Sequence, residues 1–157
     1  MRSWTQQVDA ALLDGGLSEV GVLLVNKLQP SERPAWVARV LDRLGTVVSL
    51  PAEALTLSAI ARDESRWAEA GSVFNAIRAR TRSTETDSGA GSAPRTLYVL
   101  ENAAKVIANA GGRAYDDDVT IWFVSETFEL ARAANDAAVM SAVWDSLIDV
   151  GSDSRPA

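Results

Sequence analysis

Apolar residues recur at intervals of three and four along almost the whole of this chain, and nowhere do they settle into the strict alternation of a half-buried strand. Trp36, Val37, Val40, Leu41 and Leu44 show the pattern most plainly, as one broad stripe on a helix that Pro34 opens and Gly45 ends. The same reading predicts a helix over 3–14, ended by Gly15-Gly16, and another from the Ser18 cap to Pro30, with Val22, Leu24, Val25 and Leu28 inward. Ser49 and Pro51 open a further helix bearing Leu55, Ile60 and Leu57. A run over 63–82 turns Trp67, Ala70, Phe74 and Ile77 inward, and its small residues Ala70 and Gly71 suit close approach of a neighbour. Residues 94–110 place Leu97, Leu100, Ala104 and Ile107 inward, with Gly111-Gly112 as the stop. Asp118 is a candidate N-cap for a helix over 119–134, and a last helix runs to Val150 with Met140, Val143, Trp144, Leu147 and Ile148 inward. Residues 119–124 (VTIWFV) are the one stretch that reads equally well as a strand. No internal repeat has a constant period. The expected fold is therefore all-α: a single-domain helical bundle or short stack of helical hairpins, of about seven helices.

The chain has 157 residues, the size of one domain. With 47% apolar and 23% charged residues it belongs with globular proteins. Residues 83–94 (STETDSGAGSAP) contain no large apolar side chain and read as a flexible loop, a surface insertion or a lid, between an N-terminal helical half (1–82) and a C-terminal half (95–150) of the same domain. The tail 151–157 is expected to fray. The longest apolar runs, such as 22–25, are four residues, against about 20 for a membrane span. The N-terminus lacks a signal-peptide pattern, so a cytoplasmic protein is expected. Thirteen arginines against two lysines suit a GC-rich bacterial genome.

Cysteine and histidine are absent. That excludes disulfides, thiol nucleophiles, histidine-based triads and the usual zinc sites. There is no phosphate loop, no HExxH and no GxSxG. The net charge is -6, unevenly spread: residues 1–82 carry ten Lys/Arg and nine Asp/Glu, residues 83–157 five and twelve. An acidic half disfavours nucleic acid and anionic membranes as partners and favours basic proteins or cations.

Three polar features stand out against this background. Asp116, Asp117 and Asp118 form an acidic turn before a helix that carries Glu126 and Glu129 three positions apart. One reading is an N-cap with charge complementing the helix dipole; another is a hard-cation site in which Asp116, Asp118 and Glu126, with Asp117, supply oxygen ligands to Mg²⁺ or Mn²⁺. The spacing does not match an EF-hand. Next, Tyr98, Glu101, Asn102, Lys105 and Asn109 share one helix face, either a solvated face with a Glu101–Lys105 pair or, turned inward, the lining of a polar pocket. Last, Asp145 and Asp149 repel each other at i, i+4 and oppose the dipole near a helix C-terminus, so they call for a basic partner or for Arg78, Arg80 or Arg82. Of the tryptophans, Trp36, Trp67, Trp122 and Trp144 are expected in the core and Trp4 at an interface.

Glu101-Asn102, Ala104 to Val106, Asn109-Ala110, Tyr115 to Asp118, Trp122 and Asn135-Asp136 before Trp144 together resemble a pattern of small bacterial helical proteins. The resemblance implies no activity; it groups Asn102, Lys105, Asn109 and the acidic turn as one region. The function expected from these residues is an acidic protein-binding module (an adaptor, a regulator or an immunity-type inhibitor) whose contact surface includes Asp116–Asp118, Glu126, Glu129, Asp145 and Asp149. The alternative is a divalent-metal enzyme or small-molecule binder in which Tyr98, Asn102 and Lys105 orient a polar substrate beside the carboxylates. A third option is a structural subunit packed through Trp4 and the N-terminal hairpin.

Overall fold

The computed structural model describes residues 29–88, 95–112 and 118–134, together with Gln6, Gln7, Ala10, Asp145, Ser146 and Asp149. Those residues are mostly helical, with no strand among them. The five α-helices are α1 (Arg33–Leu44), α2 (Glu53–Ala61), α3 (Ala70–Ser88), α4 (Arg95–Gly112) and α5 (Asp118–Ala134). Two 3₁₀ segments, Pro30–Glu32 and Glu64–Glu69, lead into α1 and α3. The further helices expected from the sequence, with Trp4 and Trp144, fall outside the described residues.

The starts of α1 and of the two 3₁₀ segments have local causes. Pro30 opens the first 3₁₀ turn, and the Glu32 carboxylate accepts the Gln29 amide N–H at 3.0 Å. Pro34 then falls in the first turn of α1, where a missing amide hydrogen costs nothing. Asp63 caps the second 3₁₀ segment by accepting from the Ser65 amide at 3.1 Å and the Ser65 hydroxyl at 2.6 Å. The stretch read as one helix over 63–82 is therefore a capped 3₁₀ turn followed by α3. The backbone of α3 continues to Ser88, six residues into the segment read as a loop. A solvated helical turn needs no apolar residues once the preceding turns have nucleated it, so composition alone ended this helix too early.

The core is a single cluster that draws on residues from before and after position 90, including Trp36, Leu44, Leu57, Ile60, Ile77, Leu100, Ile107 and Phe123. Helix α4 is its centre. It packs against α1, α2, α3, α5 and both 3₁₀ segments. Accordingly it is buried nearly all round, with Leu97, Val99, Leu100, Ala103, Ala104, Val106, Ile107 and Ala108 inside. Across α4, the rings of Trp36 on α1 and Phe123 on α5 meet edge to face, with centroids 5.2 Å apart and an interplanar angle of 81°.

Three expectations about packing are corrected. Leu55 is 78% exposed, because the inward face of α2 is Ala54, Leu57, Ser58, Ile60 and Ala61, and Leu55 lies off it. Close helix approach occurs not at Gly71, which faces open space, but at Gly111, where a Cβ would stand 2.8 Å from the Trp67 Cβ and from the Ala68 amide nitrogen. Trp122 is 59% exposed rather than in the core, since Val119, Phe123, Val124 and Leu130 already supply the buried face of α5. The ambiguous residues 119–124 are part of that helix.

Candidate functional site

The α5 helix divides its side chains cleanly. Thr120, Phe123, Val124 and Thr127 are fully buried, and the Thr127 hydroxyl donates to the Phe123 carbonyl at 2.9 Å. On the outer side, Asp118, Trp122, Glu126 and Glu129 follow one another at helical spacing, so one row carries a large exposed indole between carboxylates. Asp118 opens α5, where its charge complements the amide dipoles of the first turn. Asp116 and Asp117 lie outside the described residues.

Arg95, the first residue of α4, reaches this row. Its Nη1 donates to Glu126 Oε2 at 3.0 Å while its guanidinium carbon stands 5.5 Å from the centroid of the Tyr98 ring. Arg95 is 42% exposed and Glu126 21%, so the contact stands at the surface. Tyr98, Arg95 and Glu126 thus link α4 to the acidic row.

Of the remaining stripe residues on α4, Glu101 and Asn109 turn inward and Asn102 and Lys105 are half-buried. Glu101 is 5% exposed and accepts from Arg78 at 3.3 Å, displacing the expected Glu101–Lys105 pair. Lys105 instead places Nζ 5.0 Å over the Phe74 ring. The Asn102 amide donates to the Tyr98 carbonyl one turn back at 2.9 Å, and Asn109 is buried. The neighbours packed around α4 thus bury Glu101 and Asn109 and leave Asn102 and Lys105 half-buried.

The pairing of the C-terminal acids also differs from expectation. Arg43 on α1 donates to the Asp149 carboxylate and, at 2.9 Å, to the Ser146 hydroxyl. Arg78 is engaged by Glu101 and Arg80 by Glu53, so neither serves Asp149. Asp145 is exposed. The Arg80 guanidinium, hydrogen-bonded to Glu53, holds that carboxyl below the ordinary glutamate range. Among the described residues no three carboxylates gather closely enough to hold a metal ion. Glu126, proposed as a ligand in the cation reading, is already committed to Arg95.

Sequence reasoning missed a concave feature. Leu41, Asp42, Leu50, Pro51, Ala54 and Leu55 line an open cleft of about 440 Å³ between the end of α1 and the start of α2. At its edge the Asp42 carboxylate accepts from the Ser58 hydroxyl at 2.8 Å and from Arg62. No signal in the sequence pointed to it, because Leu55 reads there as part of the inward face of α2.

No family model, curated protein or solved structure matches this chain. No helix among the described residues is long and apolar enough to cross a membrane.

Proposed function

We propose that this chain is a protein-binding module, an all-α bundle whose recognition face is the outer row of α5, and that its partner presents a basic segment. The observation that carries the reading is Trp122, an exposed indole set between Asp118 and Glu126 on one helix face. Tryptophan is the side chain that most often anchors an interface, and its ring face attracts the same guanidinium and ammonium groups that carboxylates do. An aromatic anchor flanked by carboxylates therefore selects arginine or lysine on two independent grounds. An acidic C-terminal half adds a field that speeds the encounter. An adaptor, a regulator or an inhibitor of a basic protein, working in the cytoplasm, would each use such a face.

The test is titration of a fluorescein-labelled arginine-rich peptide with the full chain, followed by anisotropy. Trp122→Ala is expected to weaken binding by at least about tenfold, which corresponds to 1.4 kcal/mol, and added salt to weaken it further. Equal binding by wild type and Trp122→Ala would overturn the reading, because only unspecific charge attraction would then remain.

A further inference from the structure

Arg95 already makes, within the chain, the contacts that a partner's arginine would seek. One guanidinium nitrogen lies 3.0 Å from Glu126, and the group stands 5.5 Å from the Tyr98 ring centroid. Glu126 sits one turn from Trp122 on the same face, so any arginine docking beside that indole meets a carboxylate that Arg95 is holding. We propose that Arg95 is a displaceable occupant of the α5 recognition face, an internal guanidinium that holds Glu126 in the free protein and yields it to an arginine of the partner. This rests on the protein-binding reading of that face and adds a competitor to it.

The physical case is one of matched exchange. A surface ion pair is weak, because both groups remain partly hydrated, and this one is surface-exposed on the arginine side. Replacing it by an equivalent pair leaves Glu126 satisfied and frees Arg95 to water and to Tyr98, so no buried charge is stranded. The partner's guanidinium additionally gains the Trp122 face, which Arg95 is not seen to contact. Arginine is favoured over lysine in such an exchange, since a planar guanidinium can meet a carboxylate edge-on and stack on a ring at once. The device raises selectivity: a ligand with one isolated cation must compete with Arg95, whereas a ligand that also covers Trp122 wins.

The experiment uses the full chain and two labelled peptides of equal length, one arginine-rich and one lysine-rich. Arg95→Gln is expected to bind the arginine peptide about two- to fivefold more tightly than wild type, the scale of one surface ion pair. Arg66→Gln removes the same charge from the 3₁₀ segment, where Arg66 pairs with Glu69 at 3.2 Å, and is expected to change affinity much less. In a Glu126→Gln background the gain from Arg95→Gln should vanish, because no carboxylate is left to contest. Arg95→Gln that binds no better than wild type, or no better than Arg66→Gln, would overturn the proposal while leaving the Trp122 dependence, and hence the protein-binding reading, intact. If neither wild type nor Arg95→Gln binds in a Trp122-dependent way, both fall. A measurement on unmutated protein guards against a misfolded variant: the Arg95 guanidinium resonances should move toward those of a free arginine as the peptide saturates the chain. Resonances that stay in place at saturation overturn the exchange.

Discussion

Among the described residues, the buried indole nitrogen of Trp36 and the buried hydroxyl of Thr120 have no hydrogen-bond partner. They contrast with Thr81 and Thr127, whose hydroxyls donate to the Ile77 and Phe123 carbonyls at 3.0 and 2.9 Å. An unmet buried hydroxyl loses its water without compensation. Thr120→Val, which keeps the shape and removes the hydroxyl, is therefore expected to leave stability unchanged or raise it by about 1 kcal/mol in urea titrations. The two tryptophans at the ends of this region should behave oppositely. Trp36→Ala empties a fully buried site and is expected to cost about 3–5 kcal/mol, whereas Trp122→Ala should cost under about 0.5 kcal/mol and leave the thermal transition nearly in place. At this scale the sequence was informative about Trp36, whose stripe is flanked by arginines and an aspartate that mark the wet side. It was not informative about Trp122, because residues 121–124 are uniformly apolar and offer no polar residue to say which side faces out.

Helices are placed by what they touch, and the contact between α4 and the turn before α3 depends on one missing methyl group. Gly111→Ala would gain roughly 1 kcal/mol of intrinsic helix preference yet push a Cβ to 2.8 Å from the backbone of Trp67-Ala68. Backbone cannot swing aside as a flexible side chain does, so the substitution is expected to destabilise by about 1–3 kcal/mol in urea titrations. Gly71→Ala, with open space around it, should be neutral or mildly stabilising; the same sign for both would refute the assignment. The existence of α1 and α4 and their inward apolar stripes were legible from spacing alone, whereas for α5 the helix was legible but its buried face was not. Nor was the inward turn of the α4 polar face. Whether Glu101 and Asn109 meet water depends on the number of neighbours around α4, and the partner that satisfies Glu101, Arg78, is 23 residues away in the chain.

At the scale of the molecule, arginines from residues 43–95 answer carboxylates drawn from other helices. Arg43 meets Asp149, Arg80 meets Glu53, Arg78 meets Glu101 and Arg95 meets Glu126. The charge asymmetry read from the sequence is thus partly spent inside the fold, and only a structure could say which acids are left facing out. One pair has a pH signature. Because Arg80 lowers the folded-state pKa of Glu53, the stabilisation is fully present above the ordinary glutamate range and is lost as pH falls through the lowered value. The stability difference between wild type and Arg80→Ala should therefore be largest at neutral pH, within about 1 kcal/mol, and should fade in acid. A difference that grows on acidification would contradict the assignment.

The central position of α4 also has a consequence in time. Synthesis delivers residues 33–88 before the helix at Arg95–Gly112 around which α1, α2 and α3 pack. Until Leu97, Leu100, Ala104 and Ile107 emerge, Trp36, Leu57, Ile60 and Ile77 lack the surface that covers them in the finished protein. The nascent chain must carry these apolar faces for several seconds at the usual rate of about 5–20 residues per second. This core can therefore close only after α4 has emerged.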